Sequence, residues 1–276
     1  MSTDSGIAQD LHNLELLRQS SGPIRWMHTG SLHRTIIDRR VLVADGDGIV
    51  ELDGRDDSRW LHTNVAHTDF TDPVIAALSQ QFPHLRPLTD GGMWEGLFSA
   101  ITAQAVSLHS AAAFQRRLCE AFSPEIEAEG RIFRSLPTAQ DIADASVELL
   151  RSSGLTTKRA EGLKSVATEM ARGNIPSPEA DDIDGWMIEL HKLPMVGKWT
   201  SASVLLWGLG HDDVYPSGDV ALLRAAKIAY NDASMTMRDL DKLSEQWRPQ
   251  RAIAARLLWT NLLGCGWYIG DTPISE

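Results

Sequence analysis

Between two stretches of helical hydrophobic spacing, residues 182–192 and 198–209, stands Leu193-Pro194-Met195-Val196-Gly197. Proline stops a helix and glycine frees the backbone, so these residues leave room only for a tight hairpin joining one helix to the next. Such a hairpin aims N–H groups at the start of the second helix into solvent. They lack internal partners, and the helix dipole favours negative charge there, so the turn is suited to an anion. One loop later, Pro216-Ser217-Gly218-Asp219 ends in a carboxylate that opens a further helical run, 220–230. A main-chain phosphate clamp beside a single carboxylate points to an enzyme acting on nucleic acid.

The rest of the 276-residue chain divides by pattern. Residues 7–19 have helical spacing, after which 34–37, 41–44 and 49–52 are short β-prone runs. Asp45-Gly46-Asp47-Gly48 reads as a hairpin turn; the later ligands and closing glutamate of a calcium loop are missing. From residue 73 the pattern is helical: 73–81, 93–122 with a break near 105–108, 138–152, 158–172, 182–192, 198–209, 220–230, 237–246 and 250–263. Residues 82–87 read as a linker, and the tail after Trp267 as peripheral. The expected fold is mainly α with a small N-terminal antiparallel β-domain, α+β overall. Residues 1–72 form the β-domain and 73–276 an all-helical domain that holds the hairpin motif, about 183–209.

Composition removes several function classes. Apolar runs are too short to cross a bilayer, and the polar N-terminus lacks the regions of a signal peptide, so the expected setting is the cytoplasm and no membrane partner. Two cysteines, Cys119 and Cys265, support neither a disulfide framework nor a four-cysteine iron–sulfur cluster. The nine histidines form no metal-ligand pattern. Gly208-Leu209-Gly210 lacks the third glycine and the strand of a dinucleotide site, and Asp212-Asp213 after it reads as a solvated loop. The net charge of −11 is unusual for a DNA-binding protein. It is concentrated in residues 1–150, with 12 Lys and Arg against 21 Asp and Glu; residues 151–276 hold 14 against 16. Weak non-specific affinity with a modest salt slope follows.

The hairpin and Asp219 together resemble the signature of the helix-hairpin-helix (HhH-GPD) DNA glycosylases, whose hairpin typically reads Leu-Pro-Gly-Val-Gly before an aspartate that opens a later helix. Three further segments are similar to that family in the same order. They are Trp94 to Ser107 with a Gln104-x-x-Ser107 pattern, Gly154-Leu155 to Lys158-Arg159-Ala160, and Trp247-Arg248-Pro249-Gln250-Arg251 leading to Trp259. Two positions after Gly197, strand-cleaving members carry a Schiff-base lysine, whereas this chain has Trp199. Lys198 is one residue early, which turns it roughly 100° away on a helix. Tryptophan there looks like the bacterial 3-methyladenine DNA glycosylase II (AlkA) branch.

The resemblance implies a monofunctional glycosylase that hydrolyses the N-glycosidic bond of alkylated bases in double-stranded DNA. It also implies a monomer, a bacterial chromosome-associated setting, and no iron–sulfur cluster, because the cysteines for one are missing. By resemblance Asp219 is the catalytic carboxylate, and Trp199, Trp259, Ser203 and Gln104 line the base pocket; Trp26, Trp60, Trp207 and Trp247 read as core packing. Leu193, Met195, Val196, Gly197, Lys198, Thr200, Ala105 and Ser107 face the DNA. Carbonyls of His191, Leu193 and Val196 are placed to hold a monovalent cation. Three positions depart from the family: Met195 replaces a glycine, suggesting an altered turn or a side chain against the DNA backbone. Ser203 replaces a pocket aromatic, and Ala105 a bulky wedge. These departures leave two alternatives: a non-catalytic DNA-damage binder, or a glycosylase for an oxidised or deaminated base.

Overall fold

The computed structural model describes residues 34–37, 40–45, 48–52, 69–82, 89, 91–128, 130–175 and 182–262. The expected helix at 7–19, the core placement of Trp26 and Trp60, the linker at 83–87, Cys265 and the C-terminal tail lie outside them.

The β-prone runs form an antiparallel sheet in sequence order, β1 (Arg34–Ile37), β2 (Arg40–Asp45) and β3 (Gly48–Leu52). Asp45 pairs with Gly48, the tight register expected of the Asp-Gly signal. A second, two-stranded sheet, β4 (Ile126–Ala128) and β5 (Arg131–Phe133), was not read from the sequence. Its strands are too short for alternation to register.

Helix α1 (Pro73–Gln81) begins where Asp72 accepts the Val74 and Ile75 amides, with proline in the first turn. The long run at 93–122 breaks near the expected place, into α2 (Met93–Ala103) and α3 (Leu108–Phe122), which Ser107 caps. The run at 138–152 is a correction: it is two helices, α4 (Ala139–Asp144) and α5 (Val147–Ser152). Thr138 and Ser146 each cap one of them, and a hydroxyl bonding the third amide ahead restarts the chain. Then come α6 (Thr157–Ala171), α7 (Ile183–Leu190) and α8 (Lys198–Ser203). Helix α8 widens into a π-helical segment, Val204–Leu209, that closes on left-handed Gly210. Helices α9 (Val220–Ala229), α10 (Met237–Ser244) and α11 (Arg251–Leu262) follow.

Two helices are buried nearly all round and organise the rest, α2 and α11. Helix α2 packs on α3, α6, α8 and the π segment; α11 packs on α1 and α9. The crossing of α2 with the π segment is backbone on backbone. A Cβ on Gly96 would meet Gly208 Cα at 2.8 Å, and one on Gly208 would meet the Gly92 carbonyl oxygen at 2.8 Å. Gly208 is therefore a packing glycine, while Gly210 ends the helix.

The loop after the π segment is not the solvated stretch expected from Asp212-Asp213. Arg251 bonds the Asp213 carboxylate through Nε at 2.9 Å and the Asp213 carbonyl through a terminal nitrogen at 2.7 Å, and Arg248 reaches the same carboxylate at 2.6 Å. The Trp-x-Pro-x-Arg pattern thus places Arg251 to lock this loop onto the start of α11. Asp212 is partly buried, and desolvation pushes its carboxyl pKa up against the opposing charge of Arg256.

Candidate active site

The hairpin forms as its punctuation requires. Helix α7 ends at His191, the Leu193 amide donates to Leu190, and the Val196 amide donates to Leu193. Helix α8 starts from Gly197, which has no side chain to cap it. No acceptor among the described residues takes the amides of Gly197, Lys198 and Trp199, so the turn keeps the anion-binding donors that the sequence implies. The outward face consists of Pro194, Gly197 and Lys198. Leu193 packs against the core and Val196 is buried, so their side chains do not face outward; any contact they make with DNA is through the main chain.

Met195 neither alters the turn nor reaches outward. Its φ is 65°, the left-handed conformation a glycine would take, held here by a side-chain residue. The side chain is seated in a notch on α6: a Cβ on Gly162 would collide with Met195 Cγ and lie 3.1 Å from Met195 Cβ. Its side chain thus packs between the hairpin and α6.

Gln104 and Thr200 are also redirected. The Gln104 amide donates to the Met195 carbonyl at 2.7 Å and to Thr200 Oγ1 at 2.9 Å. Thr200 is buried, so its side chain braces the hairpin from behind. With its amide engaged there, Gln104 ties the α2–α3 link to the hairpin. Arg159 completes the clasp by donating to the Gln104 carbonyl at 2.6 Å, and burial pulls its guanidinium pKa down. Arg159 lies inside a motif read from the sequence but was assigned no role, because a helical Arg gives no sign of which carbonyl it meets. Ala105 stands exposed beside Gln104 with φ 49°, and Ser107 hydroxyl accepts the Ser110 amide as a cap.

Asp219 sits at the head of α9. The turn before it closes with the Asp219 amide donating to the Pro216 carbonyl, and Gly218 supplies the positive φ of 87° that the third turn position needs. Ser217 hydroxyl donates to Asp241 on α10 at 3.0 Å, which anchors the turn. One carboxylate oxygen, Oδ1, accepts the Leu222 amide at 2.7 Å, so Asp219 does cap its helix. The other, Oδ2, accepts the indole N–H of Trp199 at 2.8 Å. Lys198 is exposed, so the residue of α8 that meets the carboxylate is tryptophan, not an amine.

Two expected pocket residues are not open to a ligand. Ser203 is 3% exposed, on the core side of α8. Trp259 is 5% exposed and stacks on Trp207, centroids 5.2 Å apart, while Arg256 lies 4.2 Å over the other ring of the pair. Trp207 thus covers Trp259. A surface depression of about 250 Å³ lined by Asp182, Asp184, Asp213, Arg248 and Arg251 follows the ion pairs at the start of α11. Its arginines and Asp213 satisfy one another, so it is a seam of the fold.

The model of the HhH-GPD superfamily base excision DNA repair proteins matches residues 98–250, more than half of the chain. The chain belongs to that superfamily. Among curated proteins it is 26% identical to a DNA-3-methyladenine glycosylase of Bacillus subtilis over 68% of this chain and 63% of that one. It is 28% identical to DNA-3-methyladenine glycosylase 2 of Escherichia coli over 58% of this chain and 54% of that one. The matched region thus spans less than two thirds of the length of either relative. Among solved structures, the apo 8-oxoguanine glycosylase/lyase of Clostridium acetobutylicum superposes with a TM-score of 0.66 at 14% identity, covering 83% of this chain and 88% of that one. The fold is therefore that of the helix-hairpin-helix DNA glycosylases. No helix among the described residues is long and apolar enough to cross a membrane.

Proposed function

We propose that this protein is a monofunctional DNA glycosylase that removes alkylated bases, 3-methyladenine and related methylpurines, from double-stranded DNA. The observation that carries the reading is the pairing at Asp219: a carboxylate fixed through both oxygens, met from the facing helix by the Trp199 indole while the Lys198 amine is exposed to solvent. The names of the sequence relatives support the alkylated substrate.

The chemistry follows from the residues. An alkylated purine is already cationic, so the C1′–N bond breaks with its electron pair leaving on the base and little acid assistance is needed. Positive charge develops on the deoxyribose, where Asp219 stabilises it. Water adds to C1′, and its proton passes to the carboxylate or to solvent. The hairpin amides hold the phosphate backbone, which keeps C1′ in reach without a basic surface. Without an amine beside Asp219 no imine forms, so the products are a free base and an abasic site in an intact strand.

A monovalent cation would be held by the carbonyls of His191, Leu193 and Val196. These are neutral, hard oxygen donors, and among the described residues only the Leu193 carbonyl of the three accepts a backbone amide, at 3.3 Å. The ion would add positive charge beside the phosphate. The second reading, a non-catalytic damage binder, is favoured by the burial of Trp259 beneath Trp207, which leaves one less ring for a flipped base.

The test is chromatography of bases released from N-methylated duplex DNA, with the strands resolved before and after hot alkali. Methylpurine release with strands cut only by alkali is expected. Release of 8-oxoguanine with a borohydride-trapped protein–DNA adduct overturns the reading, and no release from methylated, deaminated or oxidised DNA favours the binder.

A further inference from the structure

We propose that Trp199 is a positioning residue for Asp219, acting through its indole N–H; the inference rests on the glycosylase reading above. A carboxylate bonded only by the start of its own helix can still rotate about its last torsion. The Leu222 amide fixes Oδ1, and the Trp199 N–H, at 2.8 Å from the other oxygen, fixes the plane. Both groups are only partly exposed, and a charge-assisted bond there is stronger than one in water.

The bond also crosses between packing groups. Trp199 belongs to α8, which packs with α2, α7 and the π segment; Asp219 belongs to α9, which packs with α10 and α11. Trp199 contributes one of the outward amides of the hairpin, and its neighbour Thr200 is held by Gln104 at 2.9 Å. One residue thus joins the phosphate-binding turn to the carboxylate. A hairpin correctly seated on the strand sets the orientation of Asp219, and a displaced hairpin tilts it.

The cleanest test changes one atom group. β-(3-Benzothienyl)alanine installed at position 199 keeps the bicyclic face and replaces the N–H by sulfur; Trp199→Phe is the encoded counterpart, and Trp199→His restores a ring N–H. Single-turnover base release is expected to fall roughly 10- to 100-fold in the sulfur analogue, as expected for a misaligned catalytic group. Its affinity for abasic-analogue duplex should stay within about twofold, and the histidine variant should exceed the phenylalanine one. An unchanged release rate overturns the proposal, as does a loss that appears wholly in binding. Nitrogen-15 spectra report on the bond without turnover: the Trp199 indole resonance, assigned by its loss in Trp199→Phe, should move upfield in Asp219→Ala. A stationary resonance overturns the bond. If the wild type releases no base from any substrate, the glycosylase reading falls and positioning for that reaction falls with it, while the indole spectrum still decides whether the contact exists.

Discussion

Met195 occupies a backbone conformation that favours glycine, and what makes this tolerable lies on another helix. Gly162 leaves a notch on α6 that the methionine side chain fills. Gly162→Ala is expected to destabilise the protein by about 1–3 kcal/mol through overpacking. Combined with Met195→Gly, which empties the notch and relieves the positive φ, most of that loss should disappear. Urea unfolding of the two single variants and the double variant measures the coupling. Additive effects would mean that the two residues are independent. Positions such as these were legible in the sequence only in part. The missing glycine was visible, but its partner lies 33 residues upstream on a helix whose pattern gives no hint of the contact.

The hairpin was readable because proline, glycine and an opening aspartate act locally, whatever surrounds them. What clasps it was not. Gln104, Thr200 and Arg159 each sit on helix-prone sequence, and periodicity cannot say which carbonyl an amide or guanidinium will find. Trp259 was assigned to a pocket for the same reason: the motif fixed its place on α11 but not the Trp207 ring that covers it. Gln104→Ala would leave the Met195 carbonyl and Thr200 hydroxyl without their donor, a local loss of about 1–3 kcal/mol. Hydrogen exchange across residues 193–201 should accelerate more in this variant than exchange in α11, and affinity for undamaged and damaged duplex should fall together. A loss confined to damaged DNA would instead place Gln104 at the base.

At the scale of the molecule, Asp72 ties the first described helix to the last third of the chain. The buried carboxylate caps α1 and accepts the Tyr230 hydroxyl at 2.7 Å, with the Trp247 indole at 3.4 Å. This long-range tie between an aspartate at a helix start and a tyrosine at a helix end was not legible, since each residue has a sufficient local explanation. Burial, then the bond to Asp72, pushes the Tyr230 pKa up from its ordinary value of 10.0. The raised folded-state value means that the contribution is complete below about pH 10 and is lost above it, as the unfolded chain gains a charge that the folded chain resists. Tyr230→Phe should therefore flatten the alkaline fall of the melting temperature above about pH 10, while lowering stability at neutral pH. An unchanged alkaline slope would show that Tyr230 does not govern it. The expected helix at 7–19 and the tail lie outside the described residues, which comprise the sheet at 34–52 and the helical assembly, with its small sheet at 126–133, that carries Asp219.

The most direct test of that assembly as an enzyme is single-turnover release of methylpurine from methylated duplex by wild type and Asp219→Asn at saturating protein. Asparagine keeps an oxygen for the Leu222 amide but removes the charge. The expected result is a rate lower by roughly 10²- to 10³-fold, the loss typical of one electrostatic stabiliser, with DNA affinity retained. A rate within about twofold of wild type would contradict the assignment of the reaction to this carboxylate.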